Sequence, residues 1–358
     1  MKIAAYTIAL NEIKHCERWA ESVKDADYRV VLDTGSTDGT VEKLRELGVM
    51  VFEHKFDPWR FDHSRNMALA CVPDDAEVCI SLDMDEFMGP GWRAGIEKDW
   101  VPGVTTRFNY TYHFDFRPEG PNLNGYRMDK IHHRIGYQWK RPVHENVWCT
   151  VDKEVIATNM DVQLNQMQDR SKPTRNNYLP LMKMATIEDP DDSQMSFWYG
   201  RELMYAGERD NAIAELERFL TIKSTLWHIE RSEAMTYIAR MNETKSEYYL
   251  LWATATSPTR REVWLDVAAY YYSKEDWNSL LWAASNGINR SERHGSYLDR
   301  ADAWGHQLYD LGSLAATNLE WWSKAVEWCT KAIEMQPNEE RLRNNLQFMQ
   351  DKLTETTK

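Results

Sequence analysis

Two short stretches concentrate the side chains that can do chemistry. The first runs Val30-Val31-Leu32-Asp33-Thr34-Gly35-Ser36-Thr37-Asp38-Gly39-Thr40. An apolar strand passes into a carboxylate, a glycine-containing turn and a Ser/Thr/Asp cap that opens a helix. Open parallel sheets bind ligands at the carboxyl ends of their strands, so Asp33 is placed to accept a hydrogen bond from the imide N–H of uracil or from ribose hydroxyls. The helix start adds free backbone N–H groups. A plain strand-to-helix turn with Asp38 as cap accounts for the same residues. The second stretch, Val78-Cys79-Ile80-Ser81-Leu82-Asp83-Met84-Asp85-Glu86, ends another apolar strand in three carboxylates within four positions. Such crowding is repulsive unless a cation is bound. Mn2+ or Mg2+ prefers oxygen ligands and shares its sphere with phosphate and water, so Asp85 is expected to hold a metal that bridges the diphosphate of a donor. A solvated acidic loop is the alternative.

The elements that must position these groups follow from periodicity. Apolar runs predict strands over Lys2–Leu10, Tyr28–Leu32, Val49–Glu53 and Glu77–Leu82, separated by helices near Glu12–Val23, Thr37–Leu47 and Asp62–Cys71. This is the βαβ pattern of a mostly parallel sheet covered by helices. From Gly89 to about Asn165 the sequence is irregular and aromatic, with strand-like pieces such as Thr105–Phe116. After Arg170-Ser171-Lys172-Pro173 strand signals vanish and helical periodicity continues to the end, which places a domain boundary there, as 1–168 and 169–358. In the helical half, the block from Phe197-Trp198-Tyr199 matches the block from Val263-Trp264-Leu265 at a spacing of 66 residues, twice a unit of 33. The segment Ala325–Pro337 looks like the second helix and closing proline of a tetratricopeptide repeat, in a third block that carries an insertion. Trp and Tyr at helical spacing there are first of all core residues.

The order of motifs, Leu10-Asn11-Glu12, then Asp33 to Thr40, then Asp83-Met84-Asp85-Glu86, resembles glycosyltransferase family 2 over about the first 165 residues. The resemblance implies a GT-A fold, a nucleotide-sugar donor, and Asn11, Glu12, Asp33 and Asp38 around the nucleoside, with Ser36 in the same donor-binding turn. It implies Asp83 close to ribose and metal, and Asp85 on the metal. Phe61-Asp62-His63-Ser64-Arg65-Asn66 resembles the family's Arg-Asn stretch opening a helix; Arg65 is then a partner for diphosphate, because a guanidinium forks onto paired oxygens. A surface salt bridge is the plainer role. Arg134 to Glu145 resembles the His-Glu segment of members with tetratricopeptide tails. There His144 would be a further metal ligand and Glu145 the general base, with Asp115 as the alternative base. The expected reaction is inverting transfer from a nucleotide-sugar, a UDP-sugar first, to an acceptor hydroxyl. The catalytic half is compact beside larger members, which leaves the acceptor-side elements open.

Composition bounds the rest. The net charge of -13 repels phosphate backbones and anionic membranes on average. An aromatic content of 12% argues against disorder. Five scattered cysteines form no CxxC pair, so neither a disulfide framework nor a zinc site is suggested, and a reducing cytoplasm is expected. The run Ile3–Leu10 is too short for a signal peptide or a span, and no membrane span is expected elsewhere. Three acceptors compete: a protein held by the repeats, a saccharide or lipopolysaccharide core, and a hydroxylated base in DNA. The last draws on Arg127, Lys130, Arg134, Lys140 and Arg141 with Tyr137 and Trp139 as stacking rings, against the acidic total. A reading of another class is a non-enzymatic repeat scaffold with a degenerate α/β half. The intact Asp83 and Asp85 speak against it.

Overall fold

The computed structural model describes residues 1–114, 116, 125–167 and 178–356. The chain divides into two units, Met1–Ala185 and Thr186–Lys358. The sequence places that boundary at 168/169. The first unit is mixed α/β and the second is all helix.

The first unit is built on an eight-stranded sheet. Strands β1 (Ile3–Ala9), β2 (Tyr28–Asp33), β3 (Met50–Glu53) and β4 (Val78–Ser81) are parallel and lie in the order β3-β2-β1-β4. The sheet continues through β7 (Tyr126–His133), β6 (Arg107–His113), β10 (Ile156–Gln166) and β5 (Glu86–Met88), where antiparallel pairs enter. A separate ribbon pairs β8 (Tyr137–Lys140) with β9 (Asn146–Cys149).

Alternation along β1 and β4 explains the layering, since successive side chains point to opposite faces. Ile3, Ala5 and Ala9 join Val78, Ile80 and Leu82 in one core with Trp19 of α1 (Cys16–Ser22), Leu44 of α2 (Thr40–Glu46) and Ile96 of α4 (Trp92–Asp99). Ala4, Tyr6 and Cys79 face the other way, against Ala68 and Leu69 of α3 (Phe61–Ala70) and Trp139 and Val147 of the ribbon. Burial of one such side chain, Leu44 for instance, contributes roughly 1.5–3 kcal/mol. Both faces of β1 and β4 are thus covered, while the edge strand β3 stays largely exposed, and along the central strands polar groups emerge at the ends.

Helix α5 (Leu179–Glu188) precedes the second unit's own helices. These are α6 (Ser193–Tyr205), α7 (Arg209–Thr221), α8 (His228–Met241), α9 (Ser246–Thr256), α10 (Arg261–Ser273), α11 (Trp277–Asn289), α12 (Gln307–Asn318), α13 (Trp322–Met335) and α14 (Glu340–Thr356). They pack as consecutive pairs around one apolar core. The matching blocks of the sequence are the pairs α6–α7 and α10–α11, with α8–α9 between them as the unrecognised unit. The insertion occupies residues 290–306, ahead of α12. Glycine marks two crossings: a Cβ on Gly200 would come within 2.7 Å of the Leu216 side chain, and one on Gly312 within 2.5 Å of the Trp328 ring. No helix among the described residues is long and apolar enough to cross a membrane.

Candidate functional site

The loops after β1 and β2 interlock. Asp33 Oδ1 accepts from the backbone N–H of Gly35 and of Ser36, both at 2.8 Å, and the Ser36 hydroxyl donates to Oδ2. Asn11, held in the left-handed region at φ 56°, donates its N–H to Ser36 Oγ at 2.8 Å and accepts from Thr37 N through Oδ1 at 2.8 Å. Asparagine tolerates that conformation better than most residues. Glu12 N donates to Thr40 Oγ1 at 2.8 Å, while Asp38 accepts from Thr40 N at 3.0 Å and from Ile13 N at 3.1 Å. Burial raises the Asp38 carboxyl, but the bonds from Thr40 and Ile13 outweigh it and hold it below its ordinary value.

Five of the residues singled out from the sequence, Asn11, Glu12, Asp33, Ser36 and Asp38, therefore stand in one hydrogen-bonded constellation. The detail differs from direct donor recognition. A carboxylate has about four lone-pair sites; Asp33 spends three within its own turn and is 1% exposed. Its main effect is to shape the turn, whose Asn11 and Thr37 are exposed.

The end of β4 forms a second cluster. Glu86 is buried; its Oε2 accepts from Asp83 N at 2.8 Å, and the Tyr112 hydroxyl lies 3.0 Å from its Oε1. Burial pushes the Glu86 carboxyl up to about 7, while the Lys130 ammonium, 3.9 Å away, pulls it back. Lys130 is also 4.0 Å from Asp83, and these two acids outweigh the burial that would lower the Lys130 pKa, leaving it raised. Asp85 accepts from Gln166 Nε2 at 3.0 Å through Oδ2, and its carbonyl from Arg18 Nη2 at 3.3 Å.

Arg65 joins this cluster to the ribbon. Its Nη1 is 2.7 Å from Asp83 Oδ1 and its Nε donates to Glu145 Oε1 at 2.6 Å. The guanidinium sits 4.9 Å over the Trp139 ring. Asn66, next on α3, clamps the backbone of Trp139 by donating to its carbonyl at 2.8 Å and accepting from its N–H at 2.9 Å. Trp139 Nε1 donates to the Tyr6 hydroxyl at 2.8 Å, which lies 2.9 Å from His132 Nε2. Burial lowers the His132 pKa to about 4, so the ring is neutral; its Nδ1 donates to the His133 carbonyl at 2.8 Å, which leaves Nε2 to accept the Tyr6 proton. The loop carrying Glu145 is fastened to α3 by Phe61 N donating to Pro142 O at 3.0 Å.

Arg65 is thus a buried bridge between carboxylates, and the surface role is excluded by its 6% exposure. Lys130, Tyr112, Gln166, Tyr6 and His132 belong to the site without having been assigned a role there; a lysine and a tyrosine carry no spacing signal of their own. Asp115 lies outside the described residues.

Among the described residues, no group of three or more His, Cys, Asp and Glu side chains stands together so as to hold a metal. His144, at φ 52° and edge-on to Tyr178 at 6.1 Å, is accordingly not gathered with Asp83 and Asp85 into a three-ligand set. The donors that are present, two partly exposed carboxylates, fit a hard cation that takes one or two protein oxygens and fills its sphere with phosphate and water.

Two cations of the basic stretch are drawn into ion pairs, while Arg127 and Lys140 are exposed. Arg134 pairs with Asp74 at 2.7 Å, Lys130 stands among the acids of β4, and Trp139 is 1% exposed, too buried to stack on a base. Beside Glu145 lies a cavity of about 480 Å³ whose walls include Arg107, Asp129, Lys130, Trp139 and Trp148.

No family model matches the chain, and no curated protein does. Solved chains to which it is similar include MamA, at 17% identity over 46% of this chain and 83% of that one, with a TM-score of 0.35. YrrB, a TPR protein with an unusual peptide-binding site, matches at 13% identity over 46% of this chain and 80% of that one, TM-score 0.36. PilF of Pseudomonas aeruginosa matches at 15% identity over 48% and 72%, TM-score 0.36. Scores this low carry no argument about function. One expectation is corrected by the other two comparisons: membership of glycosyltransferase family 2 finds no matching family model and no matching curated protein. The chain is a mixed α/β unit followed by a helical repeat unit.

Proposed function

We propose that the α/β unit, with a sheet of the GT-A type, transfers a sugar with inversion from a nucleotide-sugar, a UDP-sugar first, to an acceptor hydroxyl. One observation carries the reading. Glu145 is tied through Arg65 to the acidic end of β4 and at the same time lines the cavity beside it. A carboxylate so placed can take the proton of an acceptor hydroxyl as its oxygen attacks the anomeric carbon, while the bond from that carbon to the diphosphate breaks.

The interlocked loops at Asn11 and Ser36 form the nucleoside end, at the carboxyl edge of the parallel strands. Asp85, with Asp83 beside it, would hold the divalent cation, Mn2+ or Mg2+, whose chemistry there is charge neutralisation of the departing nucleoside diphosphate. Arg65 keeps the base in place and balances its charge.

The test is release of nucleoside diphosphate from a panel of nucleotide-sugars, with Mn2+ and with EDTA. Asp85→Ala is expected to abolish release. Glu145→Gln is expected to keep UDP binding, read by thermal shift, and to lower turnover by roughly 10²–10⁴-fold. Full release by Asp85→Ala would overturn the metal role of Asp85, and no response to any donor would overturn the transferase and leave the scaffold reading.

A further inference from the structure

We infer that the cavity beside Glu145 is a binding site for a neutral saccharide, with the Trp148 indole as its platform. As an acceptor site this rests on the transferase reading; as a saccharide site it stands on its own geometry.

A volume of about 480 Å³ is within the range of small-ligand pockets. Trp148 lies on β9 and is 44% exposed, with the Lys140 ammonium 5.2 Å from its ring. An exposed indole lining a cavity offers a flat apolar face that the C–H face of a pyranose can cover.

The polar walls select against ionic ligands. Arg107 is paired with Asp129 at 2.5 Å and with Glu154 at 2.7 Å, and Lys130 stands within 4.0 Å of Asp83 and 3.9 Å of Glu86. Both cations of the cavity wall already face carboxylates, which leaves a phosphate or carboxylate ligand only the exposed Lys140 at the rim of the Trp148 ring. A hydroxyl is both donor and acceptor and can share these groups without breaking the pairs. A nucleic-acid strand would also need a row of available cations, and Arg134 and Lys130 are committed, which leaves Arg127 and Lys140 as the exposed ones. The chemistry of the pocket is therefore that of a polyol seated on a ring, with one hydroxyl directed to Glu145.

The experiment uses the full chain without nucleotide or metal. Cellobiose, lactose, N,N'-diacetylchitobiose and methyl glycosides of the common neutral hexoses are titrated by saturation-transfer NMR. At least one is expected to bind, about tenfold more weakly to Trp148→Ala and with recovery in Trp148→Phe. Should Trp148→Ala fail to fold, Trp148→Gln serves, since the side chain is on the surface of a two-stranded ribbon. Absence of binding by the whole panel, or equal binding to Trp148→Ala, overturns the site. So does displacement of the bound sugar by oligothymidylate or an acidic peptide at lower concentration. A parallel UDP titration with Mn2+ separates the two readings: saccharide without UDP binding keeps this site and removes the transferase, and the reverse removes this site alone.

Discussion

Arg65 Nε donates to Glu145 Oε1 at 2.6 Å across 80 residues of sequence. The same guanidinium reaches Asp83, so one buried cation holds two carboxylates from different loops. Removing one partner of a buried pair leaves uncompensated charge and costs roughly 3–5 kcal/mol. Arg65→Ala is expected to lower the stability of the α/β unit by about that much in chemical denaturation. The double variant Arg65→Ala/Glu145→Ala should cost less than the sum of the singles, because the orphaned carboxylate is gone. Strict additivity would show that the pair is not coupled.

Much of this scaffold is legible from the residues alone, and the reasons are local. Strands β1, β2 and β4 follow apolar runs within a residue or two of their ends. The predicted helix Glu12–Val23 instead opens with a 3-10 turn, Ile13–His15, because Glu12 N and Ile13 N are bound by Thr40 and Asp38 side chains. Helix α2 starts at Thr40 rather than Thr37, since Gly39 takes φ 93° and the residues before it are spent in the loop. The pairing of Arg65 with Glu145 was not legible: it depends on how the ribbon approaches α3, which no spacing encodes. Trp139 shows the same limit, for an indole looks alike in sequence whether it packs in a core or stacks on a ligand.

Two buried groups make the pH dependence of stability a difference of opposing slopes. His132 is lowered from its ordinary 6.5 to about 4 by burial, so its contribution is complete above pH 6.5 and is lost as pH falls towards 4, by roughly 3 kcal/mol. Glu86 is raised from 4.5 to about 7, so its contribution is complete below pH 4.5 and is lost as pH rises through 7. Glu86→Gln is expected to leave a steeper gain in stability between pH 4.5 and 7 than in the parent chain. Denaturant titrations at half-unit pH steps measure it, and an unchanged slope would contradict the assignment.

Gly312 lies where α12 crosses α13. Alanine would gain roughly 1 kcal/mol of helix propensity. Its Cβ, however, would sit 2.5 Å from the buried Trp328 ring and 3.1 Å from Ala284 Cβ, and a ring wedged among helices cannot yield as a chain end does. Overpacking of this kind costs typically 1–3 kcal/mol. Gly312→Ala is therefore expected to destabilise the helical unit, seen as a lower thermal midpoint by circular dichroism. A rise in that midpoint would mean that the pair separates freely.

The helical unit contains a charge buried more completely than any in the α/β site. Arg260 is 0% exposed; it pairs with Glu233, donates to Leu298 O at 3.1 Å and Ser232 Oγ at 3.2 Å, and lies 3.7 Å from Glu262. The guanidinium ties the insertion at Leu298 to α8, since Ser232 and Glu233 lie on that helix. Arg260→Ala leaves Glu233, 3% exposed, without its cation, while Glu262 keeps the bonds from Trp304 Nε1 at 3.0 Å and Arg300 N at 3.2 Å; the expected cost is roughly 3–5 kcal/mol. Arg260→Met combined with Glu233→Leu removes both charges of the closest pair and should recover a large part of that loss, because desolvation of the ions offsets much of their attraction. Hydrogen exchange around Leu298 separates stability from anchoring. If the insertion stays protected in Arg260→Ala, its attachment is made by other contacts, and if it exchanges freely even in the stabilised double variant, the arginine is what fixes it.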